Sequence, residues 1–130
     1  MVLITTYPIN PADSYPLLSS ISSGSIVLHY AVVKNQGDAI GKTTNGINYR
    51  FSGEATEEMN GIATELKEQW QLEDVLMIRR EGSLAVGEII SLVAASAPAS
   101  EDAFQACQQG ISRMKKMKTV TKGVRLDDNG

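Results

Sequence analysis

The stretch 54–70 most constrains the fold. Ala55, Met59, Ile62, Ala63, Leu66 and Trp70 recur at the 3.6-residue period of a helix and form a single apolar stripe. Ser52 is placed to cap that helix. A helix with one apolar face needs a second layer to cover it, and the rest of the chain supplies candidates. Short β-prone runs lie at 2–6, 25–33, 47–51, 75–78, 89–95 and 119–126. The run 25–33, rich in Ile, Val and Tyr, reads as a central strand, and the last two runs before residue 100 flank the turn glycines Gly82 and Gly87. A second helix is expected over 100–118, with Ala103, Phe104, Cys107, Ile111 and Met114 on its buried stripe and Ser100 as cap. Pro11 starts a short helix whose apolar contacts would be Tyr15, Leu18 and Ile21. The order β-α-β-β-α-β-β-α-β predicts an α+β fold with a mainly antiparallel sheet, two main helices and a short N-terminal helix. At 130 residues the chain is expected to form one domain, 1–130.

Composition narrows the function classes. Apolar residues make up 42% and charged residues 21%, as in ordinary globular proteins. One cysteine, Cys107, and one histidine, His29, exclude a disulfide framework and multi-Cys or His-rich metal sites, so no metal or other cofactor is expected. The apolar start at 1–4 lacks a basic leader, and the longest weakly polar run, 89–99, is too short to span a bilayer. A cytoplasmic protein without membrane contact is expected. Gly37-Asp38-Ala39-Ile40-Gly41-Lys42-Thr43 imitates a phosphate-binding loop, but three residues separate its glycines where four are needed, and a strand follows instead of a helix. It reads as a flexible loop. His29, in an apolar strand, reads as a packed or edge-facing side chain, and Cys107 as a small hydrophobe.

The net charge of -3 hides a segregation. The stretch 54–74 carries seven acids against Lys67 alone. Arg113, Lys115, Lys116, Lys118, Lys122 and Arg125 are half of all basic residues, within thirteen positions that contain no acid. Lys116 and Lys118 suit a solvated helix end. Lys115 stands four residues after Ile111 and eight after Cys107, at the margin of the buried stripe, and alternation puts Lys122 on one strand face with Val120 and Val124. Two lysines edging apolar faces predict a partly desolvated anion site. A nucleic-acid surface is not expected, because the basic segment lacks interleaved aromatics and the whole chain is acidic.

Arg79-Arg80-Glu81-Gly82-Ser83-Leu84-Ala85-Val86-Gly87-Glu88 resembles the His-Arg-x-Gly-x-Leu-x-x-Gly-Glu/Asp signature of the large, catalytic subunit of molybdopterin synthase. Ala103-Phe104-Gln105-Ala106-Cys107 follows at that family's spacing, and Gly24-Ser25-Ile26-Val27 and Val33-Lys34-Asn35 match its first long strand and its Val-Arg-Asn end. The resemblance spans nearly the whole chain. It implies an α/β hammerhead-like fold, a homodimer, and a heterotetramer with a small ubiquitin-like sulfur carrier. The carrier's C-terminal thiocarboxylate would deliver sulfur twice to cyclic pyranopterin monophosphate, an anionic pterin, forming the dithiolene of molybdopterin. Lys115 and Lys122 match the family's catalytic lysines. Lys34 stands in for its phosphate-binding arginine, and Arg80 matches the arginine of the signature. The substrate-binding His-Arg pair ahead of the Ala-Phe helix is Ala99-Ser100 here, and the Pro-aromatic-Trp before the second lysine is Thr119-Val120-Thr121. Two expectations follow: an active sulfurtransferase, or a paralogue that binds the carrier without turnover.

Overall fold

A computed structural model describes residues 1–35 and 44–126. The glycine-rich segment 37–43 and the tail 127–130 therefore lie outside the described residues. The elements are β1 (Val2–Thr5), α1 (Pro11–Ser14) continued by a 3-10 turn (Tyr15–Leu17), β2 (Ser25–Val32), β3 (Thr44–Phe51), α2 (Ala55–Gln69), β4 (Asp74–Arg80), β5 (Gly82–Ala85), β6 (Ile89–Ala97), α3 (Ser100–Lys115) and β7 (Val120–Leu126). The α+β class and the two main helices are as expected from the sequence. Strand β5 is additional, because four residues between two turn glycines carry too little pattern to announce a strand.

The strands form two sheets, one ordered β1-β4-β6-β2 and one ordered β5-β3-β7. All pairings are antiparallel except β1 with β4. The β2 run, expected to be central, is an edge strand: β6 is its one ladder partner among the described residues, and none of its residues is fully buried. Chain passage from the first sheet to the second occurs at Gly82, whose φ of 109° is open to glycine at little cost. Gly87, at φ 90°, makes the turn from β5 into β6.

Alternation along β4 separates two cores. Val75 and Met77 face α2 and α3, joining Met59, Ile62, Leu66, Val93, Cys107 and Met114. Leu76 and Ile78 face the other way, under Ile9 and Leu18 of the N-terminal segment. A third cluster, Val33, Ile47, Tyr49 and Leu84, fills the second sheet. The short N-terminal helix is capped by Asn10, whose Oδ1 accepts the Ala12 amide at 2.9 Å. Its expected apolar contacts are met only by Leu18, since Tyr15 is half exposed and Ile21 is 95% exposed. The helix stops after one turn and passes into the 3-10 segment, so the 3.6-residue spacing never reaches Ile21.

Both long helices lack the side-chain caps expected of them. Glu54 and Ala99 occupy the N-cap positions, and neither makes a side-chain cap bond. Phe104 is exposed, and Ala106 and Gly110 take the buried face of α3 in its place. Small residues there allow close approach: a Cβ on Gly110 would lie 2.9 Å from Val93 Cγ1. Trp70 ends α2 half-buried, its Nε1 donating to Gln105 Oε1 at 3.1 Å.

Candidate functional site

Both sheets and the C-terminal end of α3 border one cavity of about 740 Å3. Lys34, Lys115 and Lys122 line it together, although 88 residues of sequence separate the first from the last. Each arrives by a different local cause. Val33 is buried and doubly tied to the β5–β6 turn: its amide donates to the Glu88 carbonyl at 3.0 Å, and its carbonyl accepts the Gly87 amide at 2.7 Å. The next residue, Lys34, is thereby held at the mouth. Lys115 follows buried Met114 at the end of α3, on the margin that the helical spacing predicts. Lys122 stands opposite Tyr49 in the β3–β7 ladder, on the same sheet face, as alternation with Val120 implies.

Arg80, Ala99 and Ser100 do not line this cavity. Arg80 Nη1 is 2.8 Å from Glu88 Oε1, and Arg80 Nε donates to the Thr6 carbonyl. Glu88 Oε2 also accepts the Ala85 amide at 2.6 Å, so Arg80 braces the turn that holds Val33 and leaves the wall to others. Ala99 is the N-cap of α3 and Ser100 its first residue, fifteen positions before Lys115 at the other end. Ala99 and Ser100 therefore contribute nothing to the described wall of this cavity.

Two cavity residues escape a reading by motif. His29, on the edge strand, lines the wall and is half-buried. Arg79 lines it too and is 7% exposed. Its guanidinium lies 5.4 Å from the Tyr49 ring centre and 5.3 Å from that of Phe51, within cation–π range. Nη1 donates to the Met114 carbonyl at 2.8 Å and to Met117 Sδ at 3.8 Å, and Nε has no acceptor among the described residues. A buried donor left so costs about 1–3 kcal/mol. Burial pulls the guanidinium's pKa down, opposed by Tyr49 and Glu58, and arginine keeps its charge regardless. Burial likewise raises the Tyr49 phenol, partly offset by Arg79. The alternation Val75, Met77, Arg79 was the available signal, since it puts this arginine on the inward face.

No described residue lining the cavity is Asp or Glu, so four cations share it without a carboxylate in its wall. Such a cavity concentrates anions. Among the described residues no group of three or more His, Cys, Asp or Glu is gathered to hold a metal ion. Cys107 is buried in the main core, and burial pushes its thiol up to about 11, which removes it as a nucleophile. Among the described residues no helix is long and apolar enough to cross a membrane.

The acidic helix α2 reaches the site through Glu58. Its carboxylate accepts the Lys118 amide, the Thr119 amide and the Thr119 hydroxyl at 2.7–3.1 Å, fixing the connector between Lys115 and Lys122. Partial burial works against its ionised form, but these hydrogen bonds and the nearby Lys118 prevail and hold its pKa below the usual 4.5.

Comparison with known proteins agrees with this architecture. A molybdopterin synthase catalytic subunit from Pyrococcus abyssi is 32% identical over 114 residues, covering 87% of this chain and 76% of the relative. One from Nostoc is 30% identical over 114 residues, covering 86% and 68%. The crystal structure of molybdopterin synthase from Staphylococcus aureus superposes with a TM-score of 0.88 at 23% identity, over 97% of this chain and 91% of that one. Residues 4–117 match the family described as MoaE protein. The chain, with its two sheets and its cation-lined cavity, belongs to the MoaE family.

Proposed function

We propose that the chain is a molybdopterin synthase catalytic subunit, acting in the cytoplasm. It transfers sulfur from the C-terminal thiocarboxylate of a small ubiquitin-like carrier to cyclic pyranopterin monophosphate. The observation that carries this reading is the convergence of Lys34, Lys115 and Lys122 on one cavity with no carboxylate in its described wall. The carrier tail and the pterin phosphate are both anions, and both are drawn to such a surface. Thiocarboxylate sulfur bonds to a pterin side-chain carbon as that carbon's C–O bond breaks, the oxygen leaving as water or as the phosphate oxyanion, and an acyl–sulfur link to the carrier results. Water then cleaves that link, leaving the sulfur on the pterin and a carboxylate on the carrier. Charge develops on the acyl oxygen in the cleavage, where the Lys115 and Lys122 ammonium groups stabilise it and assist proton transfer. Lys34 holds the pterin phosphate as a point charge rather than a bidentate fork.

The edge strand β2, with one ladder partner and Val32 half exposed, supports assembly as a homodimer that carries two carriers in a heterotetramer. Ala99 and Ser100 contribute to a substrate site only if a second copy brings them to it.

The test is reconstitution of purified protein with thiocarboxylated carrier and the pterin precursor. Wild type should form molybdopterin, and Lys122→Ala and Lys115→Ala should lose it by about 10²-fold or more. Replacement of the family's His-Arg pair by Ala99-Ser100 favours a second reading, carrier binding without turnover. Equal, negligible turnover by wild type and Lys122→Ala would end the enzyme reading, and carrier binding by the same protein would establish the second.

A further inference from the structure

Arg79 is a buried cation with no direct counter-ion among the described residues, Glu58 acting on it only at a distance. It is 7% exposed and makes no ion pair with a described carboxylate. Nη1 bonds the Met114 carbonyl and Met117 Sδ, and Nε has no acceptor among the described residues. A strut to Met114 and Met117 would account for Nη1 alone and would not require a charge. Buried charges are ordinarily paired, because removing them from water is costly. The surroundings provide space for a counter-ion. The register places Arg79 opposite Ser91, and Ser91 opposite Ala31, so the sheet face beside the guanidinium carries two small side chains. Both line the cavity with Arg79. Tyr49 and Phe51 hold the guanidinium against the second sheet, which pre-organises it. Lys34, Lys115 and Lys122 are exposed, so Arg79 is the one buried cation among those described in the wall.

We propose that Arg79 is the buried anchor for a phosphate oxyanion bound in this cavity, and that exposed Lys34 closes over the same anion from the mouth. The proposal rests on the reading of the cavity as a substrate site and adds the residue that selects a phosphate. A guanidinium presents N–H groups in a fixed plane that matches phosphate oxygens, which an ammonium cannot reproduce. A carboxylate, as in the carrier tail, is the competing anion.

Titration of the full chain with inorganic phosphate, and separately with acetate, followed by calorimetry, tests this without carrier or turnover. Wild type should bind phosphate in preference to acetate. Arg79→Met should weaken phosphate binding roughly ten- to a hundredfold, the loss of a charge-assisted contact, while acetate binding stays weak and unchanged. Arg79→Lys keeps a cation in the slot and should still lose about tenfold, which keeps the test valid where the methionine variant does not fold. Unchanged phosphate affinity in a folded Arg79 variant would overturn the proposal, as would no phosphate binding by wild type or equal binding of acetate. Phosphate binding that depends on Arg79 in a protein that makes no molybdopterin sinks the enzyme reading and leaves this one standing. In an active protein, Arg79→Lys should raise KM for the pterin far more than it lowers kcat.

Discussion

The Glu58 carboxylate accepts the Thr119 hydroxyl at 2.7 Å, and through this contact the acidic helix α2 holds the segment between the two lysines of the cavity. The charge segregation evident in the sequence is therefore a working contact in the fold. The acids of α2 fasten the basic segment, with Arg113 also paired to Glu65 at 2.6 Å, and leave the cavity wall to the cations.

Stability should fall in acid through Glu58. Its pKa is held below the unfolded value, so its contribution is complete above about pH 4.5 and is lost as pH falls through the lower, folded value. Glu58→Gln should abolish that part of the acid dependence, and Glu58→Ala should cost about 1–2 kcal/mol at neutral pH. Thermal unfolding from pH 3 to 7 checks both. Identical acid profiles for wild type and Glu58→Gln would refute the assignment.

Two helical glycines should respond with opposite signs. A Cβ on Gly61 meets nothing within 4 Å, so Gly61→Ala should stabilise by about 0.5–1 kcal/mol. A Cβ on Gly110 lies 2.9 Å from the stiff Val93 side chain and 3.2 Å from Leu66. Overpacking costs about 1–3 kcal/mol, so Gly110→Ala should destabilise despite the gain in helix propensity. Urea unfolding decides, and shifts of the same sign would contradict the packing account.

Cys107 should be inert in the native protein. With its pKa at about 11, roughly one thiol in a thousand is ionised at pH 8, and its Sγ donates to the Val93 carbonyl at 3.4 Å. A thiol-reactive chromophore should label it only after denaturation. Rapid native labelling would show that α3 opens from the sheet.

Arg80 and Lys34 should separate stability from binding. Arg80→Ala removes the brace on Glu88 and should cost about 1–2 kcal/mol, with a secondary rise in KM because Lys34 hangs from the same turn. Lys34→Ala should leave stability within about 0.5 kcal/mol and raise KM about ten- to a hundredfold. Steady-state kinetics paired with unfolding curves measures both, and a Lys34→Ala loss confined to stability would move Lys34 out of the site.

Much of the framework was legible in the residues. The helix over Ala55–Gln69 follows from an unbroken apolar stripe, and Lys115 and Lys122 stood out because each edges an apolar face in a different periodicity. A motif does not carry an environment that distant chain creates. Arg80 matches the family signature, yet it is occupied by Glu88, while its neighbour Arg79 enters the cavity. Successive strand residues face opposite ways, so a one-residue difference moves a side chain from a turn to a binding wall. Phe104 and Ile21 were misplaced for a related reason: apolar character does not say whether a second layer exists to cover the residue.

The sequence by itself determined the α+β class, the long helices, the segregation of charge and the two lysines at the edges of the apolar faces, because these depend on periodicity and on contacts within a few residues. The tertiary structure alone decided that β2 is an edge, that β1 pairs parallel to β4, that Lys34 shares a cavity with Lys115 and Lys122, and that Arg79 is buried without a direct ion pair among the described residues. Those relations join positions dozens of residues apart, and they arise only when two sheets and a helix end close on a common space.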